Sequence, residues 1–421
     1  MANVRSAYTD SVNFFGREDP LKLAERFGTP LYVYNEAILR QRCRDLLGLS
    51  SHPGFHVDYS AKANTNPALL RIIRDEGCLV DAMSPGELRL NLLAGFQPEE
   101  ILYVCNNVSA DELKNAAAHG LLVSVDSLSQ LELYGRVNPG GKVMARFNPG
   151  IGAGHSAKVI TAGKETKFGI TPDCLSDVFD IAARSGLRLA GLNQHIGSLF
   201  MDGSSYLAAV NVLLDLAAEA LRRGAPLEVL DFGGGFGIPY HKYEGEARLD
   251  LAGLGRLLHS RLTEWAADHA YEGRFCIEPG RYIAAECGLL LGRVHVIKNN
   301  GSSIYAGTDI GFNQLMRPVL YDAWHDIEIF RENGKPDAVM VEQTVAGNIC
   351  ESGDILAKKR PLPRLREGDV LAVLDAGAYG YVMASAYNQR PRPAELLIGM
   401  DGAARLIRRR ETFEDLTAAL I

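Results

Sequence analysis

FHVDYSAKANTNPALLRIIRDEG, residues 55–77, is one strand followed by one helix, and its repetition decides the fold. An apolar run carries the backbone inward from Phe55. The pair Asn66-Pro67 starts a helix, because asparagine caps the free amides of a first turn and proline fits the first helical position. Gly77 closes that helix. Between strand and helix stands Lys62, flanked by Ala61 and Ala63. A lysine closing a buried strand is unusual, since burial disfavours the ammonium. Two readings stay open at this point: a nucleophilic amine able to condense with a carbonyl, or a side chain that reaches solvent past the strand end.

Working outward, the same unit recurs. Strand-like runs fall at 55–64, 78–84, 101–107, 121–127, 142–150, 187–198, 227–237 and 274–281, and a helical pattern follows each of the first seven. This is the signature of a (β/α)8 barrel. An open doubly wound sheet is the competing reading, and the regularity of the units favours closure. Barrels place chemistry at the C-terminal ends of their strands. Those ends carry Lys62, Asp81, Asn106-Asn107, Asp126, Arg146 with Asn148, His195 with Ser198, the glycines 233–235, and Glu278 with Arg281. After about residue 290 strands follow one another through turns. The expected division is a barrel over 36–290 and a mainly-β domain over 291–421, joined by about 1–35.

Bulk properties narrow the function classes. The chain has 421 residues, 47% hydrophobic and 23% charged, which is ordinary for a globular protein. Its net charge of -7 argues against nucleic acid or an anionic membrane as the main partner. No apolar run approaches a membrane span, and the first residues show no signal-peptide pattern, so the cytoplasm is the expected compartment. The seven cysteines form no CxxC pair, which argues against a disulfide framework or a zinc site, and no metal is expected.

Three motifs bear on the chemistry. DFGGGFG (231–237) is either an anion-binding nest of backbone N–H groups or a tight structural turn. HIGS (195–198) offers an imidazole to stack on a planar ring and a hydroxyl for a phosphate, though a lone histidine is more often structural. EPGR (278–281) places a glutamate beside the barrel mouth, to pair either with a ring nitrogen or with Arg281. Taken with Lys62, these four features specify pyridoxal 5'-phosphate better than any other cofactor.

The chain resembles the barrel-type (fold type III) pyridoxal-phosphate decarboxylases, and among them those that act on diaminopimelate. The resemblance covers nearly the whole length. It rests on YSAKAN (59–64), DAMSPGEL (81–88), TKFGI (166–170), HIGS, FGGGFG, EPGR, LMRPVLYDAWH (315–325), CESGD (350–354), DAGAYG (375–380) and AYNQRPRP (386–393). It implies Lys62 as the cofactor-attachment lysine, His195 on the ring face and Glu278 at the pyridine nitrogen. Asp81, Ser198, Gly234, Gly235, Gly280, Arg281 and Tyr387 complete the implied cofactor site. It also implies Cys350 as the proton donor, supplied by the partner chain of a homodimer. Arg281, Arg317, Tyr321, Glu351 and Tyr387 are the implied substrate residues. Physical chemistry supports part of that set: guanidinium forks suit carboxylates, and Glu351 suits an ammonium. In HIGS-Leu199-Phe200 the chain carries apolar residues where many relatives have a polar one.

The resemblance implies decarboxylation of meso-2,6-diaminoheptanedioate to L-lysine. The enzyme alternatives act on another diamino acid, D-ornithine or D-lysine, or on carboxynorspermidine. An alanine-racemase-like reading leaves CESGD and the distal arginines without a role. A non-catalytic, partner-binding paralogue is expected to lose Lys62 or Cys350, and both are present. The loop 150–169 is glycine-rich and reads as a lid.

Overall fold

The computed structural model describes residues 2–3, 8–152, 162–163, 166–332 and 339–421. These fall into two compact units, 40–238 with 248–283, and 1–39 with 239–247 and 284–421.

The first unit is a closed barrel of parallel strands. In chain order they are Phe55–Tyr59, Leu79–Ala82, Ile101–Val104, Leu122–Val125, Lys142–Phe147, Arg188–Gln194, Val229–Asp231 and Arg274–Ile277. Phe275 pairs with Phe55 and closes the ring. The strands are shorter than the apolar runs suggest, because several polar ends turn away as loops. The helices start where the sequence offers caps: Asn66 accepts from Ala68 N, Ser84 from Glu87 N, Ser109 from Glu112 N and Ser127 from Gln130 N. The barrel interior mixes apolar and polar layers. Leu102, Val104, Met144, Val229 and Cys276 form a buried apolar cluster. Closer to the strand ends Asn193 Nδ2 donates to Asp231 Oδ2 at 2.8 Å, and Ser124 Oγ to Asn193 Oδ1 at 3.5 Å.

Against the sequence expectation, one helix does reach membrane-span length and hydropathy, Ser204–Arg222. It is the helix after the sixth barrel strand, and it buries Tyr206, Val210, Leu213, Leu214 and Ala217. Of the loop read as a lid, residues 153–161, 164 and 165 lie outside the described residues.

The second unit is built on one long strand, Gly288–Asn300. Its first half pairs antiparallel with Val370–Val373 and with Leu31–Asn35, and its second half with Ser303–Thr308. A bulge between Val294 and Val296 marks the change. Ile327–Arg331 extends the sheet beside Val370–Val373. Met340–Ala346 and Ile355–Pro363 continue the other side as an antiparallel pair. Residues 239–247 belong to this unit although they lie between barrel elements in sequence. The reason is electrostatic: Lys242 Nζ contacts Asp375 at 2.8 Å and Glu286 at 3.3 Å. Burial alone would lower the ammonium's pKa, but these two carboxylates more than offset it and raise it.

Candidate active site

In the barrel, Lys62 stands on a single 3-10 turn, Ala61–Ala63, just beyond the first strand. Asp81, from the second strand, holds that turn. Its Oδ1 accepts from Ala61 N at 2.9 Å and its Oδ2 from Ser60 Oγ at 2.8 Å. Ser60 N donates to Pro279 O at 3.1 Å, which ties the turn to the eighth strand's end. Burial pushes the Asp81 carboxyl well up, Glu278 adds to that, and the Lys62 ammonium opposes it. Asp81 thus acts on Lys62 through the backbone and through charge.

His195 follows the sixth strand. Burial, then the charges of Lys62 and Arg146, hold its pKa well below the ordinary value, so the ring is neutral. Its Nδ1 accepts from Gly234 N at 3.1 Å, so the proton sits on Nε2. That contact commits the Gly234 amide to the imidazole. The glycine run is as tight as glycine allows. A Cβ on Gly234 would stand 1.8 Å from Glu278 O, and one on Gly235, at φ +110°, 2.6 Å from Gly197 O. A Cβ on Gly280 would stand 3.0 Å from Ala63 Cβ and from Ser60 Cβ.

Arg281 gives two donors to one hydroxyl: Nε and Nη2 lie 3.2 and 3.0 Å from Ser198 Oγ. Ser198 therefore accepts from Arg281 and directs its own O–H elsewhere. Glu278 is buried, and its Oε1 has no hydrogen-bond partner among the described residues. Such an atom is costly unless a donor arrives. A neutral imidazole, a hydroxyl held by a guanidinium, a backbone cradle with no room for side chains and an orphaned carboxylate oxygen fit pyridoxal phosphate. Phosphate, ring face and ring N–H would each find a complementary group.

The β unit carries the remaining candidates in two groups. Cys350 is exposed, and its backbone N donates to Asn388 Oδ1 at 2.8 Å. Asp354 shapes its loop, accepting from Ile349 N and Phe312 N at 2.7 Å each. Beside it, Tyr387 Oη donates to Glu351 Oε1 at 2.5 Å. The second group is Arg317, which opens the short helix Arg317–Tyr321 and is only 1% exposed. Its guanidinium lies 4.7 Å over the Tyr240 ring. Tyr321 ends the same helix.

The barrel thus brings together Lys62, Asp81, His195, Ser198, Gly234, Gly235, Glu278, Gly280 and Arg281. The β unit holds Cys350 with Glu351 and Tyr387, and separately Arg317 with Tyr321. Sequence reasoning missed Asn388 and Asp354 as supports of the Cys350 loop, although both stand inside quoted motifs, and it missed the Arg317 neighbours Tyr240 and His325, whose Nε2 lies 2.7 Å from Arg317 Nη1. The presence of Arg317 and His325 in one motif, LMRPVLYDAWH, was the available signal for His325; nothing local marks Tyr240.

Comparison with known proteins agrees with this chemistry. Residues 39–285 match the pyridoxal-dependent decarboxylase, pyridoxal binding domain family. A diaminopimelate decarboxylase of Methanothermobacter thermautotrophicus is 42% identical over 408 residues, 95% of this chain and 94% of that protein. The diaminopimelate decarboxylase of Helicobacter pylori, solved with L-lysine, superposes with a TM-score of 0.87 at 29% identity, covering 95% of this chain and 98% of that one. The M. jannaschii enzyme, also solved with L-lysine, gives 0.86 at 31% identity, covering 96% and 94%.

Proposed function

From the premise that the chain belongs to the diaminopimelate decarboxylase family of pyridoxal-dependent decarboxylases, we propose that it converts meso-2,6-diaminoheptanedioate to L-lysine and CO2. It is a pyridoxal-phosphate-dependent carboxy-lyase. When bound, the cofactor supplies an electron sink for the pair released as the carboxyl group leaves.

The chain's own residues do the rest. Lys62 Nζ is the amine that would hold the cofactor through its carbonyl carbon. Asp81 keeps the turn that carries Lys62 in place. His195, neutral, would cover one ring face without adding positive charge beside Lys62. Ser198, Gly235 and Gly280 would face the phosphate, with Arg281 behind Ser198. Glu278 Oε1 would accept from a protonated ring nitrogen. Cys350 Sγ delivers a proton to the carbon that has lost CO2. Arg317 receives the distal carboxylate and Glu351 with Tyr387 the distal ammonium.

The observation that carries the substrate choice is the buried Arg317. A planar cation so desolvated suits a carboxylate partner, and a substrate whose distal end is a bare ammonium has no use for it. Cys350, Glu351 and Tyr387 are exposed in the single chain, which supports a homodimer in which the partner covers them. A catalytic role for a free thiol favours the reducing cytoplasm as the compartment. The test is direct: purified protein with meso-diaminopimelate should form L-lysine and CO2. Preferential turnover of D-ornithine, D-lysine or carboxynorspermidine would replace this substrate with another.

A further inference from the structure

We propose that His325 is a positioning residue that holds the guanidinium of Arg317 in the orientation that receives the substrate's distal carboxylate. The inference rests on the reading of Arg317 given above.

The geometry dictates the chemistry of the contact. Arg317 Nη1 lies 2.7 Å from His325 Nε2, and His325 Nδ1 lies 2.7 Å from Leu374 O. A guanidinium has only donors and keeps its charge inside proteins. A carbonyl oxygen only accepts. Nε2 must therefore accept and Nδ1 must carry the proton. His325 is neutral, in one tautomer, and both its nitrogens are engaged. Neither lysine nor arginine could take this place, and a protonated imidazole would present N–H to N–H.

The support is itself fixed. His325 is 2% exposed, and its carbonyl accepts from Arg360 Nη1 at 2.9 Å. Leu374 N donates to Asp326 O at 2.9 Å, so the residue after His325 and the residue whose carbonyl receives its proton are joined through the backbone. The strands on either side of that contact, Ile327–Arg331 and Val370–Val373, are paired in register. Tyr240 completes the seat. Its ring lies under the guanidinium and meets the imidazole edge-on, 5.5 Å between centroids at 82°. The Arg317 fork is thus held on one face by an aromatic ring and on one edge by a neutral nitrogen.

Arginine loses substantial rotamer freedom when it is fixed on binding. A fork fixed beforehand spares that loss when substrate arrives. His325 should therefore act on substrate affinity and leave the bond-breaking step alone. It touches no reacting atom, so its signature is a KM effect that passes through Arg317.

The experiment uses the cofactor-loaded enzyme in five forms: wild type, Arg317→Ala, His325→Phe, His325→Gln, and the Arg317→Ala/His325→Phe double variant. KM and kcat are measured with meso-diaminopimelate, and inhibition constants with L-lysine and with cadaverine, which has both amines and no carboxylate. Arg317→Ala should raise KM sharply. His325→Phe should raise KM by about tenfold, the scale of one hydrogen bond to a charged group, with kcat within about twofold. His325→Gln, whose Oε1 can still accept from Arg317, should recover part of that loss. His325→Phe should weaken inhibition by L-lysine and leave cadaverine unchanged. In the Arg317→Ala background it should add nothing.

An unchanged KM in Arg317→Ala would overturn the reading of Arg317 and this inference with it. A raised KM in Arg317→Ala with wild-type KM in both His325 variants would overturn the inference alone. Equal loss of L-lysine and cadaverine inhibition, or further loss in the double variant, would mark His325 as a general packing residue and overturn it too. If His325→Phe does not fold, His325→Gln and its L-lysine against cadaverine comparison decide the same point.

Discussion

Asp58 shows at the level of one residue how the barrel balances a polar interior against stability. It lies in the first strand, 4% exposed, and its Oδ1 has no hydrogen-bond partner among the described residues. Burial pushes its carboxyl up to about 7, and the charge of Arg274 offsets only part of that push. The folded chain holds this proton more tightly than the unfolded chain, whose aspartates titrate near ~4. Asp58 therefore costs no ionisation energy below about pH 4, and its contribution to stability falls as pH rises from about 4 to about 7, by at most ~1.4 kcal/mol per unit. Asp58→Asn removes the titration. Its stability relative to wild type should improve between pH 5 and pH 8 by as much as ~3 kcal/mol. Guanidinium unfolding of both proteins at the two pH values reads this out, and the same difference at both would show that Asp58 does not titrate there.

At the level of elements, the loop after the seventh barrel strand is the most constrained. Gly233, Gly234 and Gly235 thread between the ends of the sixth and eighth strands, where Glu278 O and Gly197 O leave no room for Cβ. Gly234→Ala must move backbone, since its nearest neighbour is a carbonyl oxygen. We expect a loss of several kcal/mol of stability together with weakened cofactor binding, because the displaced strand end carries Glu278 and the Gly234 amide orients His195. Thermal unfolding with and without pyridoxal phosphate, and a cofactor titration by absorbance, check this; a variant with unchanged affinity would mean the loop is only a turn. The sequence left nest and turn as equal readings of this run. The structure shows the close approach that a tight turn needs, and it commits one amide, Gly234 N, to the imidazole. Helix starts such as Asn66-Pro67 and Ser109 were legible because caps are local chemistry. The strand Ile355–Pro363 was not, since its KKRP run looks like a solvated loop until Met340–Ala346 pairs with it. Nor was the allegiance of 239–247, which depends on Asp375 and Glu286 far along the chain.

For the whole molecule, eight repeats of one strand-helix unit made the barrel legible, because each unit buries its apolar face only by joining the next. The gathering of Lys62, Asp81, His195 and Glu278 was legible for the same reason, since strand ends converge. Cys350 was not, because nothing periodic in the sequence sets it apart from the other six cysteines. In the single chain Cys350 is exposed. A thiol that delivers a proton to a carbanion-like carbon works best where water is excluded, and a second copy of the chain can provide that cover. If it does, each site takes Lys62 from one chain and Cys350 from the other. Lys62→Ala and Cys350→Ala homodimers then have no intact site. Mixed in equal amounts and allowed to exchange subunits, half the dimers become hybrids, and each hybrid pairs one doubly damaged site with one intact site. Lysine formation should return to about a quarter of the wild-type rate. If both residues of a site came from one chain, every site in every mixture would still carry one substitution, and exchange would restore nothing. The rate of recovery should follow subunit exchange, so crosslinking the homodimers before mixing should abolish it.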